Sequence, residues 1–282
     1  MLKVEIDSHS GFCGGVIRAI DTAEKYLAMQ EGGLYSLGAI VHNEEELARL
    51  GAKGLSAVEP DGLDAVPEGS TVLIRAHGVA PEVYTRLKDR GLEVIDCTCP
   101  VVLNIQKQIR ESRGRVLIFG KQGHPEVLGL VGQKDDAVVF NSLEQLDDVL
   151  DGFSAAGVVD VFSQTTMSPS EYEKACRIIM ARLPEAVIHN TICRQVASRH
   201  RELSEFASLH DAVVFVTGSH SSNGKVLCDL CRSCNARTWR IGGPEEIRPE
   251  WFRPGDFVGV SGATSTPKWI LEQVAAAIEN LQ

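Results

Sequence analysis

The chain has 282 residues, 44% hydrophobic and 23% charged, with a formal net charge of −10. This is the composition of a globular protein with room for a large core. The acidic balance argues against non-specific nucleic-acid binding, which needs clustered Lys and Arg, and leaves open a small anionic substrate held in a local donor-rich pocket. No apolar run approaches a membrane span, and Met1 to Glu5 carry no apolar signal core, so a cytoplasmic protein without a membrane partner is expected. Eight cysteines in that compartment point to thiols, metal ligands or catalysts rather than disulfides.

Strand-like and helix-like runs alternate from end to end. Residues 4–7 read as a strand, followed by a loop with Cys13 and an amphipathic run. Residues 34–38 are the next strand. Asn43 then caps a helix, with Glu46 as its capping-box acid and Gly51 as its stop. A strand at 71–75 precedes a helix from Pro81 to Arg90 closed by Gly91, and a strand at 94–96 leads to Cys99 and Pro100. Residues 116–119 are a strand and Pro125 opens a short helix. Residues 158–162 precede a helix capped by Ser168, with Pro169 at its first position and Glu171 as its acid. Residues 186–192 end at Cys193. Strands at 212–217 and 256–260 follow, and Pro267 starts the last helix. Such alternation predicts an α/β protein with mostly parallel sheets, where ligands bind beyond the carboxyl ends of strands.

The strand-end loops carry the chemistry. Cys13, Cys99 and Cys193 each close a strand and precede a helix, and they divide the chain into thirds. Each third offers one cysteine loop and two polar loops: His42-Asn43 and His77-Gly78, then Gly123-His124-Pro125-Glu126 and Gln164-Thr165-Thr166, then Ser221-Ser222-Asn223 and Ser265. This predicts either three similar lobes about a pseudo-threefold axis or a single larger domain, the lobes expected at 15–98 with the Cys13 loop just before it, 99–192, and 193–282 with 1–14 packing on it. Three converging thiolates suit an iron–sulfur cluster or zinc. With three ligands rather than four, one metal position stays open to a substrate. His42, His77, His124, Ser221, Ser222, Asn223 and Ser265 could donate to an anion, two of the loops doing so at helix N-termini. Glu126, at a helix start, is either a helix-dipole acid or a proton donor tuned by a closed pocket, with Thr165 able to relay beside it.

Cys228, Cys231 and Cys234 show C-x2-C-x2-C spacing, which reads either as a second cluster site or as small residues on one helix face; neighbouring Val226, Leu227 and Leu230 favour the helix face. Cys97 has no partner pattern of its own.

Read together, these blocks resemble the 4-hydroxy-3-methylbut-2-enyl diphosphate reductases of the methylerythritol phosphate route to isoprenoids. The match is carried in order by Gly11-Phe12-Cys13-Gly14-Gly15-Val16, Val41-His42-Asn43, Arg75-Ala76-His77-Gly78-Val79, Asp96-Cys97-Thr98-Cys99-Pro100, Gly123-His124-Pro125-Glu126-Val127, Ser163-Gln164-Thr165-Thr166, Asn190-Thr191-Ile192-Cys193, Ser221-Ser222-Asn223 and Ser265-Thr266-Pro267. The resemblance implies three lobes around a central [4Fe–4S] cluster on Cys13, Cys99 and Cys193, with one open iron for the substrate hydroxyl. It implies Glu126 as proton source with Thr165 at the hydroxyl, and His42, His77, His124, Ser221, Ser222, Asn223 and Ser265 as the diphosphate site. The products implied are isopentenyl and dimethylallyl diphosphates. The sequence has no Gly-x-Gly-x-x-Gly fingerprint, so an external electron donor such as ferredoxin or flavodoxin is expected.

This sequence departs from the family pattern at Cys97, where alanine is common, at Arg194-Gln195-Val196-Ala197 and the later Arg199-His200, and at Thr264. Two other classes would also use three cysteines: another three-cysteine cluster enzyme, such as a dehydratase or quinolinate synthase type, and a non-enzymatic iron–sulfur or zinc protein acting as an electron carrier or redox sensor. The first does not explain the Gly-His-Pro-Glu and Ser-Ser-Asn loops, and the second needs no donor-rich pocket.

Overall fold

The computed structural model describes residues 2–29, 33–153, 157–219 and 221–281, without the side chain of Ser222. In chain order the first elements are β1 (Lys3–Ile6), α1 (Gly14–Met29), β2 (Leu34–Leu37), α2 (Glu44–Gly51), β3 (Leu55–Val58), β4 (Thr71–Ile74), α3 (Pro81–Asp89) and β5 (Glu93–Asp96). Then come α4 (Pro100–Glu111), β6 (Arg115–Phe119), α5 (Pro125–Val131), β7 (Val138–Phe140), α6 (Leu146–Asp151), β8 (Val159–Ser163), α7 (Pro169–Arg182) and β9 (Val187–Ile188). The last are α8 (Arg194–Leu209), β10 (Ala212–Val216), α9 (Ser222–Cys234), β11 (Thr238–Ile241), β12 (Phe257–Gly262) and α10 (Lys268–Glu279).

The strands form three four-stranded sheets, ordered β3-β2-β4-β5, β7-β6-β8-β9 and β11-β10-β12-β1. The pairings β2–β4, β4–β5, β6–β7, β6–β8, β8–β9, β10–β11, β10–β12 and β1–β12 are all parallel. Written this way, the sheets share one plan. The chain enters at an inner strand, steps out to one edge, then crosses back to the other inner strand and its edge. In the third sheet the outer edge comes from the start of the chain: β1 lies on β12 with Glu5 opposite Gly259.

The chain separates into two compact units. One holds Met1–Gly32, Ala39–Leu55 and Ser198–Gln282; the other holds Gly33–Gly38 and Ser56–Ala197. In the first unit the sheet is buried on both faces, as parallel sheets with crossover helices must be. Ala212, Val214 and Val216 of β10 pack with Ile270, Leu271 and Val274 of α10, while Val213 and Phe215 pack with Leu203, Ala207, Leu227, Cys228 and Cys231 of α8 and α9. In the second unit β6 divides in the same way. Leu117 and Phe119 join Tyr172, Ala175 and Ile179, and Val116 and Ile118 join Ile105, Ile109 and Leu130.

Several local expectations are corrected. Gly51 does not stop α2; it is the last helical residue, and the left-handed turn falls at Gly54, with φ +103°. The capping box there is half formed: Asn43 Oδ1 accepts from Glu46 N at 2.9 Å, but the Glu46 carboxylate goes to Arg49 and Trp269. Pro267 precedes α10 rather than opening it. The strand expected over 186–192 is only Val187–Ile188, because Thr191 replaces the ladder: its hydroxyl accepts from Ser163 N and donates to Ser163 O. β3, β7, β11 and α6 are too short and too mixed in polarity to stand out in the sequence. The grouping of loops by thirds also changes. Each cysteine follows the edge strand of the sheet before it: Cys99 after β5, Cys193 after β9, and Cys13 after β1 in the sheet that carries Ser221 and Ser265.

Candidate active site

In each sheet the chain reverses its direction of winding between the two inner strands, β2 and β4, β6 and β8, or β10 and β12. Loops leaving such a pair diverge and leave a crevice at the carboxyl ends. The loops singled out in the sequence leave these strands, and the cysteine loops leave the neighbouring edge strands.

In the second unit the polar loops form a connected set. Pro125 sets the start of α5, and His124 caps it, its Nδ1 accepting from Glu126 N at 3.2 Å. That bond leaves the imidazole proton on Nε2, which can donate to an anion. The His77 ring meets His124 edge-on, with centroids 5.3 Å apart. Gly78 beside His77 must be glycine: its φ is +68°, and a Cβ there would lie 2.7 Å from Thr98 Cγ2. The His77 turn therefore packs directly on the turn before Cys99. Asp96 shapes that second turn, accepting from Thr98 N at 2.8 Å and from Tyr84 OH at 2.8 Å. Cys99 N donates to Ala76 O at 3.0 Å, and Pro100 opens α4.

Glu126 is 2% exposed, and both carboxylate oxygens are used by one residue. Thr165 N donates to Oε1 at 2.7 Å and Thr165 Oγ1 donates to Oε2 at 2.8 Å. Burial raises the Glu126 pKa and the two Thr165 bonds oppose it, leaving it at about 7. Cys193 N in turn donates to Thr165 O at 3.0 Å, so the cysteine loop hangs from the same residue that holds the carboxyl.

The first unit gathers the other expected donors. Ser221 caps α9 through Gly224 N at 3.0 Å and lies 3.1 Å from Ser265 Oγ. Asn223 Nδ2 donates to Thr264 Oγ1 at 3.0 Å, and Thr264 O accepts from Cys13 N at 3.4 Å. His42 lies just before α2, and its carbonyl approaches so closely that a Cβ on Gly218 would sit 2.6 Å from it. The Ser222 side chain lies outside the described residues. Thr264, a departure from the expected run of small residues, thus serves both Cys13 and Asn223; its neighbour Ser265 was the signal that could have drawn attention to it.

The donor set fits an iron–sulfur group. Cys13, Cys99 and Cys193 are half-buried, each immediately before a helix, where the unpaired N–H groups favour negative charge. Cys228 and Cys231 do not fit: both are buried in an apolar core, and burial pushes the Cys228 thiol up and the Cys231 thiol to about 12. Cys97 is buried as well, with its N–H on Ile74 O in the extension of the β4–β5 ladder.

The family model described as LytB protein matches residues 4–279. The chain belongs to the LytB family. The Porphyromonas gingivalis protein named 4-hydroxy-3-methylbut-2-enyl diphosphate reductase is 44% identical over 293 residues, covering 100% of both chains. The homologue of that name from Bacteroides thetaiotaomicron is also 44% identical, over 100% of this chain and 99% of its own. A solved structure of (E)-4-hydroxy-3-methyl-but-2-enyl diphosphate reductase, described as the terminal enzyme of the non-mevalonate pathway, superposes with a TM-score of 0.76 at 33% identity, covering 99% of each chain. A Plasmodium falciparum reductase structure, at 23% identity, shares the LytB fold with a TM-score of 0.88.

Proposed function

We propose that this chain reduces (E)-4-hydroxy-3-methylbut-2-enyl diphosphate to isopentenyl and dimethylallyl diphosphates, and that Glu126 supplies a proton. LytB membership and the two 44% identical reductases support the reaction. The observation that carries the proton role is the buried Glu126–Thr165 pair, with a carboxyl that titrates at about 7. At neutral pH such a group is protonated in about half the molecules and can both give up and regain a proton.

The reaction consumes two electrons and two protons. The allylic C–O bond breaks, the hydroxyl leaves as water after taking one proton, and the second proton goes to an allylic carbon. In its protonated form Glu126 donates to Thr165 Oγ1, which frees the threonine hydroxyl to point its own proton at a substrate oxygen. Burial keeps bulk water away from the pair. His124, with Nδ1 committed to Glu126 N, offers Nε2–H to a phosphate oxygen, and we assign His77 and His42 the same role. Ser221, Ser222, Asn223 and Ser265 are assigned to the diphosphate, supported by the helix N-terminus at α9.

We assign Cys13, Cys99 and Cys193 as the ligands of one [4Fe–4S] cluster with an iron free of protein ligands. The support is local and equivalent for each: a half-buried thiol, after an edge strand, at a helix start. When bound, such a group supplies electrons singly and a Lewis-acidic iron. Electrons are assigned to a separate carrier such as ferredoxin or flavodoxin. A cytoplasmic location suits eight reduced thiols. Lobes at 15–98, 99–192 and 193–282, with 1–14 on the last, are proposed from sheet membership.

The test is anaerobic purification, iron and sulfide counts, and an assay of the allylic diphosphate with a chemical reductant. Product formation scaling with iron content is expected. A fully loaded protein that forms neither product would sink the reading.

A further inference from the structure

One buried charge pair lies outside the site just described. Arg199, on α8, and Asp7, at the end of β1, are each 3% exposed, with Arg199 Nη1 2.5 Å from Asp7 Oδ2. Arg199 Nη2 donates to Ser261 Oγ at 2.6 Å, and Ser261 Oγ donates to Asp7 Oδ2 at 3.0 Å. The same Nη2 reaches Gly262 O at 3.4 Å. One guanidinium thus clamps the carboxyl ends of two neighbouring strands, β1 and β12.

Buried ion pairs rarely add net stability over apolar packing, so the location of this one calls for another reason. The β1 end is where the Cys13 loop begins, and Asp7 shapes its first turn. Asp7 Oδ1 accepts from His9 N at 2.9 Å, while Asp7 O accepts from Ser10 N at 3.0 Å and Ser10 Oγ at 2.7 Å. The β12 end is where the loop holding Thr264 begins, and Thr264 O receives Cys13 N. The Asp7 turn and the Thr264 loop therefore both run back to Arg199.

We propose that Arg199, through Asp7 and Ser261, is a positioning residue that fixes the Cys13 loop for cluster binding. This rests on the assignment of Cys13 as a ligand. Residues that orient ligands from behind typically change metal affinity about 10–100-fold when removed.

The experiment uses the anaerobically loaded full-length chain and the variants Arg199→Met, Arg199→Lys and Ser261→Ala. Iron release to a ferrous chelator is followed optically, and alkylation of each cysteine is followed by peptide mass spectrometry. Arg199→Met is expected to release iron about tenfold faster, with Cys13 alkylated earlier relative to Cys99 and Cys193 than in the wild type. Arg199→Lys should recover part of the difference. Ser261→Ala leaves no buried charge unpaired, so it decides the matter if Arg199→Met does not fold; it should shift Cys13 in the same direction by a smaller factor. Parallel acceleration at all three cysteines, or unchanged Cys13 labelling in Ser261→Ala and Arg199→Lys, overturns the proposal. A failure of the reductase reading shows separately, as loaded wild-type protein without turnover, and leaves the labelling comparison intact.

Discussion

Glu126 shows how one environment sets the proton affinity of a carboxyl. Removing the carboxyl from water raises its proton affinity, and Thr165 keeps the charged form from being lost altogether. Donation from Glu126 needs the protonated form, so turnover should fall as pH rises above about 7, approaching tenfold per unit, and a pH–rate profile in excess substrate checks this. Glu126→Gln keeps the shape and the acceptor for Thr165 but has no transferable proton. Turnover should drop about 10²–10⁴-fold with iron and sulfide unchanged. The same shift has a stability consequence. The unfolded chain loses this proton near 4.5 and the folded chain near 7, so the folded state holds the extra proton between them. The stability contribution is present below about 4.5 and is lost as pH rises through 7, on the order of 3 kcal/mol over the window. Denaturant titrations at several pH values should show the wild type losing ground to Glu126→Gln across that interval. Glu126 could be picked out in the sequence by its place in Gly-His-Pro-Glu; its proton affinity could not, because that depends on burial by residues distant in sequence.

At the scale of elements, the turns between strands and helices are built to hold donors close together. Ser221 is both the cap of α9 and a neighbour of Ser265, so the cap and the proposed contact to the diphosphate fall to the same hydroxyl. Ser221→Ala should cost about 1 kcal/mol of stability from the lost cap and should raise KM for the diphosphate substrate more than it lowers kcat; thermal unfolding and steady-state kinetics separate the two. Gly78 is constrained twice, by its left-handed backbone and by Thr98. Gly78→Ala should destabilise the chain by about 1–3 kcal/mol and lower iron content, since the Cys99 turn must give way. Helix starts at Pro81, Pro100, Pro125 and Pro169 were readable because proline and its preceding cap act within a few residues. The broken capping box of α2 and the shortness of β9 were not, because Glu46 and Thr191 take partners outside their own elements.

Across the whole molecule, the three sheets repeat one plan, with a cysteine after each outer edge strand and donor loops after the inner pair. Two sets of cysteines then behave oppositely. Cys13→Ser, Cys99→Ser or Cys193→Ser should each strip the protein of most of its iron while leaving its circular dichroism intact. Replacing Cys228 and Cys231 by serine should keep the iron but destabilise the fold by about 1–3 kcal/mol for each hydroxyl buried among Leu203, Phe215 and Leu227. Metal analysis alongside thermal unfolding distinguishes the two.

The sequence by itself determined the α/β alternation, the placing of Cys13, Cys99 and Cys193 between a strand and a helix, and the polar loops at strand ends. These are written in short-range periodicity, caps and prolines, which act over a few residues. Only the tertiary structure decided that β1 joins β12, so that Cys13 belongs with Ser221 and Ser265. It alone showed that Cys228 and Cys231 of the C-x2-C-x2-C run face a core while Cys234 is exposed, that Thr165 holds Glu126, and that Arg199 pairs with Asp7 at the end of β1. Parallel pairing, burial and buried charge depend on residues that meet across tens to hundreds of positions, and no local pattern encodes which of them will meet.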